Sequence, residues 1–191
     1  MELKDTLHRY LRLERDALIW KLEGLGERQV RTPMTPTGTN LLGLVRHVTG
    51  VEAEYFGTVF GRPVPFGLGW DQDAAAEDNA DFWVPAEVST LDVLDLYARV
   101  QQHADATIAE LPLDAPGHVP WWGRPATTLG EVLVHVTGDL ARHAGHADIL
   151  REEMDGAVGL SARNTNMATG DARWWADYRA RLQEVADSFD D

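Results

Sequence analysis

The chain has 191 residues, 44% hydrophobic and 25% charged, enough for a domain with a substantial core. Its formal charge of −14, unrelieved by any Lys/Arg cluster, opposes phosphate backbones and anionic membranes, so neither nucleic acid nor membrane is expected as a partner. Cysteine is absent, which excludes disulfides, thiolate metal sites and cysteine nucleophiles; a metal must use His, Asp, Glu, backbone or water, and a thiol must arrive as substrate.

The opening "MELKDTLHRYLRLERD" is charged throughout and lacks a signal-peptide core, and no apolar run approaches the roughly 18 residues of a membrane span. A cytoplasmic location is therefore expected. Leu3, Leu7, Tyr10, Leu11, Leu18 and Leu22 recur at helical spacing and predict a helix over 2–23, ended by "GLG" at 24–26. The prolines and glycine of "TPMTPTGTN" mark a loop. Asn40 is a good N-cap for a second helix over 40–60, whose apolar face carries Leu41, Leu44, Val48, Val51, Tyr55 and Val59. From "GRPVPFGLGW" to Pro85 the chain reads as a loop, long enough to suggest function.

Ser89 and Asp92 open a third helix that ends near "ELP" at 110–112, and "HVPWWGRPAT" is a further loop. Thr128 and Glu131 have the spacing of a capping box and start a fourth helix, which Gly156 stops. After the loop "GLSARNTNMATG", the segment "DARWWADYRARLQEV" predicts a shorter amphipathic helix with Trp174 and Trp175 as core anchors. No repeat or low-complexity linker divides the chain, so a single domain over 1–191 is expected. Four long helices and a terminal one predict an all-α, up-down-up-down four-helix bundle with an additional C-terminal helix.

The fourth helix carries an ionisable stripe in "HVTGDLARHAGHADILRE". At 100° per residue, Val136, Leu140, Ala144 and Ala147 define the core direction near 340°, with Leu133 at zero. His143 then lies near about 280°, Asp139 near about 240°, and His135 and His146 near about 200–220°. The stripe borders the core. A solvated flank, with Asp139 and His143 as an i,i+4 pair worth about 0.2–0.5 kcal/mol, accounts for it as well as a metal site does. A metal site needs a third ligand, and His47 in "LLGLVRHVTGVEAEYF" stands at the edge of the second helix's apolar face. If the second and fourth helices run parallel, an offset of about one to two turns brings the three residues to one level.

"LVRHVTGVE", followed in the fourth helix by "HVTGDLARHAGHADILRE", resembles the DinB superfamily of metal-binding four-helix bundles. The likeness is greatest to an actinobacterial branch in which "ARHxGHADxLRE" is typical, and the scarcity of lysine (only Lys4 and Lys21) fits a GC-rich genome. The resemblance implies His47, Asp139 and His143 as metal ligands, with Asp139 standing where the family has Glu or His. Two imidazoles and a carboxylate leave positions open for water or substrate. Zinc is the expected ion, and Fe(II) and Ni(II) suit the same donors. The resemblance further implies a homodimer and a low-molecular-weight thiol cosubstrate such as mycothiol, used by an S-transferase or isomerase to attack an electrophile. The related maleylpyruvate isomerase has a further C-terminal domain without counterpart here. A non-catalytic, stress-associated metal-binding bundle and a metal-dependent hydrolase are the rival readings.

Around these ligands, Glu54 shares the His47 edge and could accept a hydrogen bond from its imidazole or ligate, although such a glutamate is more often solvated. His135 suits packing or hydrogen bonding beside the site, and His146 the site's rim. Trp121 and Trp122 suit a substrate wall or a cap on the bundle end, as do Trp70 and Trp83. Arg46 and Arg142 read as exposed, as do His8, His103 and His118.

Overall fold

The computed structural model describes residues 2–70, 78–168 and 170–189; of the long loop expected up to Pro85, positions 71–77 lie outside the described residues. Among the described residues the fold is all-α apart from one small hairpin. It divides into two compact units, Met1–Ala157 and Val158–Asp191.

The first unit is a four-helix bundle of α1 (Leu3–Trp20), α3 (Leu41–Tyr55), α4 (Thr90–Glu110) and α5 (Leu129–Asp155), with a short α2 (Glu27–Arg31) before α3. The boundaries follow local chemistry. The Asn40 side chain accepts from the Gly43 amide, and Ser89/Asp92 and Thr128/Glu131 form reciprocal capping boxes. Gly156 ends α5 in the left-handed region at φ 78°, which a side chain would disfavour. Leu11, Leu18, Leu44, Tyr97, Leu133 and Leu140 lie in the core. No described helix is long and apolar enough to cross a membrane.

The helix directions depart from strict alternation. His47 of α3 meets His143 of α5, whereas Tyr55, further along α3, meets His135, further back on α5, so these two helices are antiparallel rather than parallel. Phe82, shortly before α4, lies on the N-terminal part of α3, and Arg62, just beyond α3, pairs with Glu110 at the end of α4. Thus α3 and α4 run the same way. At the other side, Lys4 of α1 reaches the carbonyls of Ala109 and Leu111, while Lys21 meets Asp148, so α1 runs against α4 and with α5. In keeping with this, the turn Ala80–Phe82 that precedes α4 lies beside Gly43 and His47, at the level where α3 begins.

Two features have no forecast in the periodicity. Pro116–His118 and Ala126–Thr128 (β1 and β2) form an antiparallel hairpin, Pro116 opposite Thr128, with Trp121 and Trp122 in its turn. A buried polar network also ties three helices. Arg15 of α1 donates from Nε to Glu52 of α3 at 3.0 Å and from Nη1 to Asp105 of α4 at 2.6 Å, and the Tyr97 hydroxyl donates to Glu52 at 2.8 Å. Burial opposes the Arg15 charge, yet Glu52 raises its pKa further above the ordinary value. Burial also opposes the Asp105 carboxylate, but Arg15 and His8 pull it below its usual range. His8 is accordingly a partner of Asp105, at 2.7 Å, and His103 meets the Arg62 carbonyl at 2.6 Å; of the three histidines read as exposed, only His118 is so.

In the second unit, α6 (Ala172–Ala186) is capped by Asp171 and is the expected additional helix. It contains no buried residue. Trp174 and Trp175 are therefore not core anchors: Trp174 stacks on Tyr178 one turn on, with ring centres 5.2 Å apart.

Candidate metal centre and its cavity

Antiparallel packing of α3 on α5 sets His47 across from the Asp139–His143 pair. One donor atom from each of the three residues lies within 4.8 Å of the others. Asp139 Oδ2 and His143 Nε2 are 3.6 Å apart, near the roughly 3.4 Å that separates ligand atoms around a tetrahedral ion with bonds of about 2.1 Å. The His47 ring stands edge-on to His143 at 4.7 Å and stacks on Phe82 at 4.1 Å. His143 is the most enclosed of the set, its side chain 13% exposed against 32% for Asp139, as the helical wheel orders them.

The protonation states suit a cation. Burial, helped by the neighbouring His47, His146 and Arg142, pushes the His143 imidazole below its ordinary pKa against the pull of Asp139. A neutral imidazole is the form that ligates. Nδ1 of His143 is buried with no hydrogen-bond partner among the described residues. Nδ1 of His47, by contrast, donates to Asp81 Oδ2 at 2.6 Å. A carboxylate on the far nitrogen of an imidazole fixes its tautomer and turns the other nitrogen towards the site.

Asp81 is the site residue that the spacing does not disclose. It sits in a single 3-10 turn, Ala80–Phe82, that lies directly on α3. Gly43 permits that approach: a Cβ there would come within 2.4 Å of the Phe82 carbonyl. The only local cue is a glycine inside an otherwise apolar helix face.

Beside His47 opens a cavity of about 640 Å³ whose wall includes Glu54, Tyr55, Phe66, Trp70, Asp81 and Trp121. Glu54 reaches solvent, yet the surrounding wall withdraws enough water to raise its carboxyl pKa above the ordinary value. Trp121 thus belongs to the cavity wall, and Trp122 supports it through Tyr55. His135 is exposed and not part of that wall, and it packs on both Tyr55, at 5.0 Å, and Trp122, at 4.9 Å. His146 is exposed beside His143, ring centres 5.6 Å apart. Trp83 is 61% exposed and lies outside this cavity. Arg46 is buried rather than exposed, its guanidinium 4.4 Å from the Trp70 ring centre.

The family model described as Mycothiol-S-transferase matches residues 6–156, which takes in every residue of this site and all but the first three residues of the bundle's first helix. The chain belongs to this DinB-like mycothiol S-transferase family. The matched region ends at the last turn of α5, so the family likeness does not extend to α6. Among solved structures, the conserved protein of locus from Enterococcus faecalis is similar in fold, with a TM-score of 0.64 at 17% identity, covering 82% of this chain and 99% of that one. No curated protein matches the sequence. Within the S-transferase family framework, the thiol expected of the chain is a small-molecule thiol.

Proposed function

We propose that this chain is a metal-dependent S-transferase that joins mycothiol to an electrophile, with His47, Asp139 and His143 as the ligands of one divalent ion. The observation that carries the reading is the convergence of those donors beside a large cavity in a chain of the mycothiol S-transferase family. Three protein ligands leave room for a substrate atom, and zinc suits two imidazoles and a carboxylate. The chemistry such an ion supplies is acidification of a thiol, so that the nucleophilic thiolate predominates near neutral pH.

The chain's own groups do the rest. Asp81 holds the His47 ring in the tautomer that presents Nε2 to the site. Glu54, in the cavity wall with a raised pKa, takes the proton released by the thiol. The apolar and aromatic wall binds the body of the electrophile. Sulfur then forms a bond to the electrophilic carbon, whose displaced electron pair leaves with a departing group or moves to a conjugated atom. With no cysteine, the protein cannot trap its own cosubstrate as a mixed disulfide.

Incubation of the metal-loaded protein with mycothiol and an electrophile should give a thioether at a rate proportional to enzyme. Hydrolysis of the electrophile without thiol would instead favour a hydrolase, and no product at all a binding protein. Asp81→Ala should weaken metal affinity about 10–100-fold while leaving the helical spectrum unchanged; unaltered affinity would remove Asp81 from the site. Because the basic form of Glu54 is the one required and its pKa is raised, the conjugation rate should climb with pH through a value above the ordinary carboxylate range. Glu54→Gln should lower the rate about a hundredfold and abolish that limb. A variant that keeps the wild-type pH profile would exclude the role.

A further inference from the structure

Tyr55, at the end of α3, lines the cavity and is only 8% exposed. Its hydroxyl oxygen accepts the indole N–H of Trp121 at 3.2 Å and that of Trp122 at 3.1 Å. A phenolic oxygen offers two acceptor positions and one O–H, while an indole nitrogen can only donate. The two indoles therefore occupy both acceptor positions and leave the hydroxyl a single role, that of donor. Among the described residues no group accepts its hydrogen. The hairpin turn that brings both tryptophans to one oxygen thus fixes a buried donor at the wall of a space large enough for a small molecule.

The rest of the lining selects by charge. Glu54 and Asp81 are acidic, Phe66 and Trp70 are aromatic, and the described wall contains neither Lys nor Arg. An anionic ligand would meet the Glu54 and Asp81 carboxylates at the wall itself, whereas Arg46 and Arg99 stand behind the Trp70 and Phe66 rings, 4.4 and 3.9 Å from their centres, and the ion held by His47 is taken by the thiol. A neutral carbonyl has an acceptor for Tyr55 and an apolar body for the rings.

We propose that Tyr55 is the substrate-binding donor of a site for uncharged, carbonyl-bearing electrophiles, with the Tyr55 O–H on the carbonyl oxygen. The assignment deepens the thiol-transfer reading and rests on it. For an α,β-unsaturated ketone, sulfur bonds to the β-carbon, the C=C π pair moves towards the carbonyl oxygen that Tyr55 holds, and the proton given up by the thiol ends on the α-carbon. No group leaves, and no oxidant or reductant is needed.

Equilibrium binding separates this site from turnover. By calorimetry without thiol, wild-type protein should bind benzylideneacetone, and Tyr55→Phe should weaken that binding about three- to tenfold, the worth of one hydrogen bond. The hydrocarbon counterpart 1-phenyl-1-butene should bind both proteins alike, and the 4-carboxylate of the ketone should bind wild type at least about tenfold more weakly than the ketone does. Saturating mycothiol should not displace the ketone. Equal ketone affinity in wild type and Tyr55→Phe, equal affinity for the carboxylate, displacement by mycothiol, or no ketone binding would each overturn the proposal. Should Tyr55→Phe lose its helical spectrum, the Tyr55 Cζ resonance of labelled wild type decides: it should move with the ketone and not with the hydrocarbon, and an unmoved resonance overturns the site. Ketone that binds as expected but is never conjugated would sink the thiol-transfer reading alone.

Discussion

Replacing Glu52 by alanine should cost about 3–5 kcal/mol of stability, the largest loss expected from any single truncation of a charged side chain in the bundle. Glu52 is 1% exposed and accepts hydrogen bonds from both Arg15 and Tyr97, so its removal leaves the buried guanidinium with Asp105 as its one remaining carboxylate and takes away the acceptor of a buried hydroxyl. For a chain of this size the midpoint of thermal unfolding should fall by about 10 °C or more, read by circular dichroism. The paired change Arg15→Met with Glu52→Met should recover most of the loss, because it removes both fully buried charges and leaves Asp105, itself partly exposed, with His8 as its partner. A loss below about 1 kcal/mol in the alanine variant would show that the network is solvated in practice. The network also bears on the site: Glu52 anchors α3 to α1 and α4, and this fixes the rotation that turns His47 towards α5.

The second large effect is on metal uptake. His143→Ala removes the most enclosed of the three donors and leaves one imidazole and one carboxylate on separate helices. Two such ligands rarely hold a divalent ion against water, so uptake should fall to background. His47→Ala should do the same. Asp139→Glu should retain metal, since the longer arm still presents a carboxylate from the same turn of α5. His135→Ala should leave the stoichiometry intact, because that ring packs on Tyr55 and Trp122 and not among the three donors.

Much of the bundle is legible in the sequence because helix ends are local chemistry. Asn40, Ser89 with Asp92, Thr128 with Glu131, and Gly156 mark boundaries that depend on a few adjacent residues. The edge positions of His47, Asp139 and His143 are likewise set by helical period alone. Helix direction is not: α3 and α4 run together only because of how the connection 56–89 is routed, and nothing periodic encodes that route. Asp81 is hidden for the same reason, since its contact with His47 is made by that connection and not by spacing. The buried network did leave a trace. Arg15 falls between Leu11 and Leu18, and Glu52 between Val48 and Tyr55, at the same helical spacing as those apolar residues. Opposite charges on two core faces read as a buried pair once burial of charge is admitted as possible. The hairpin that carries Trp121 and Trp122 is too short for any alternation to announce it.

The measurement that bears most directly on the whole account is the metal content of protein purified without an affinity tag, by elemental analysis of wild type beside His47→Ala, His143→Ala and His135→Ala. Wild type and His135→Ala should each carry one divalent ion per chain, and the other two variants none. Full metal content in both the His47 and His143 variants, or a loss confined to His135→Ala, would contradict it.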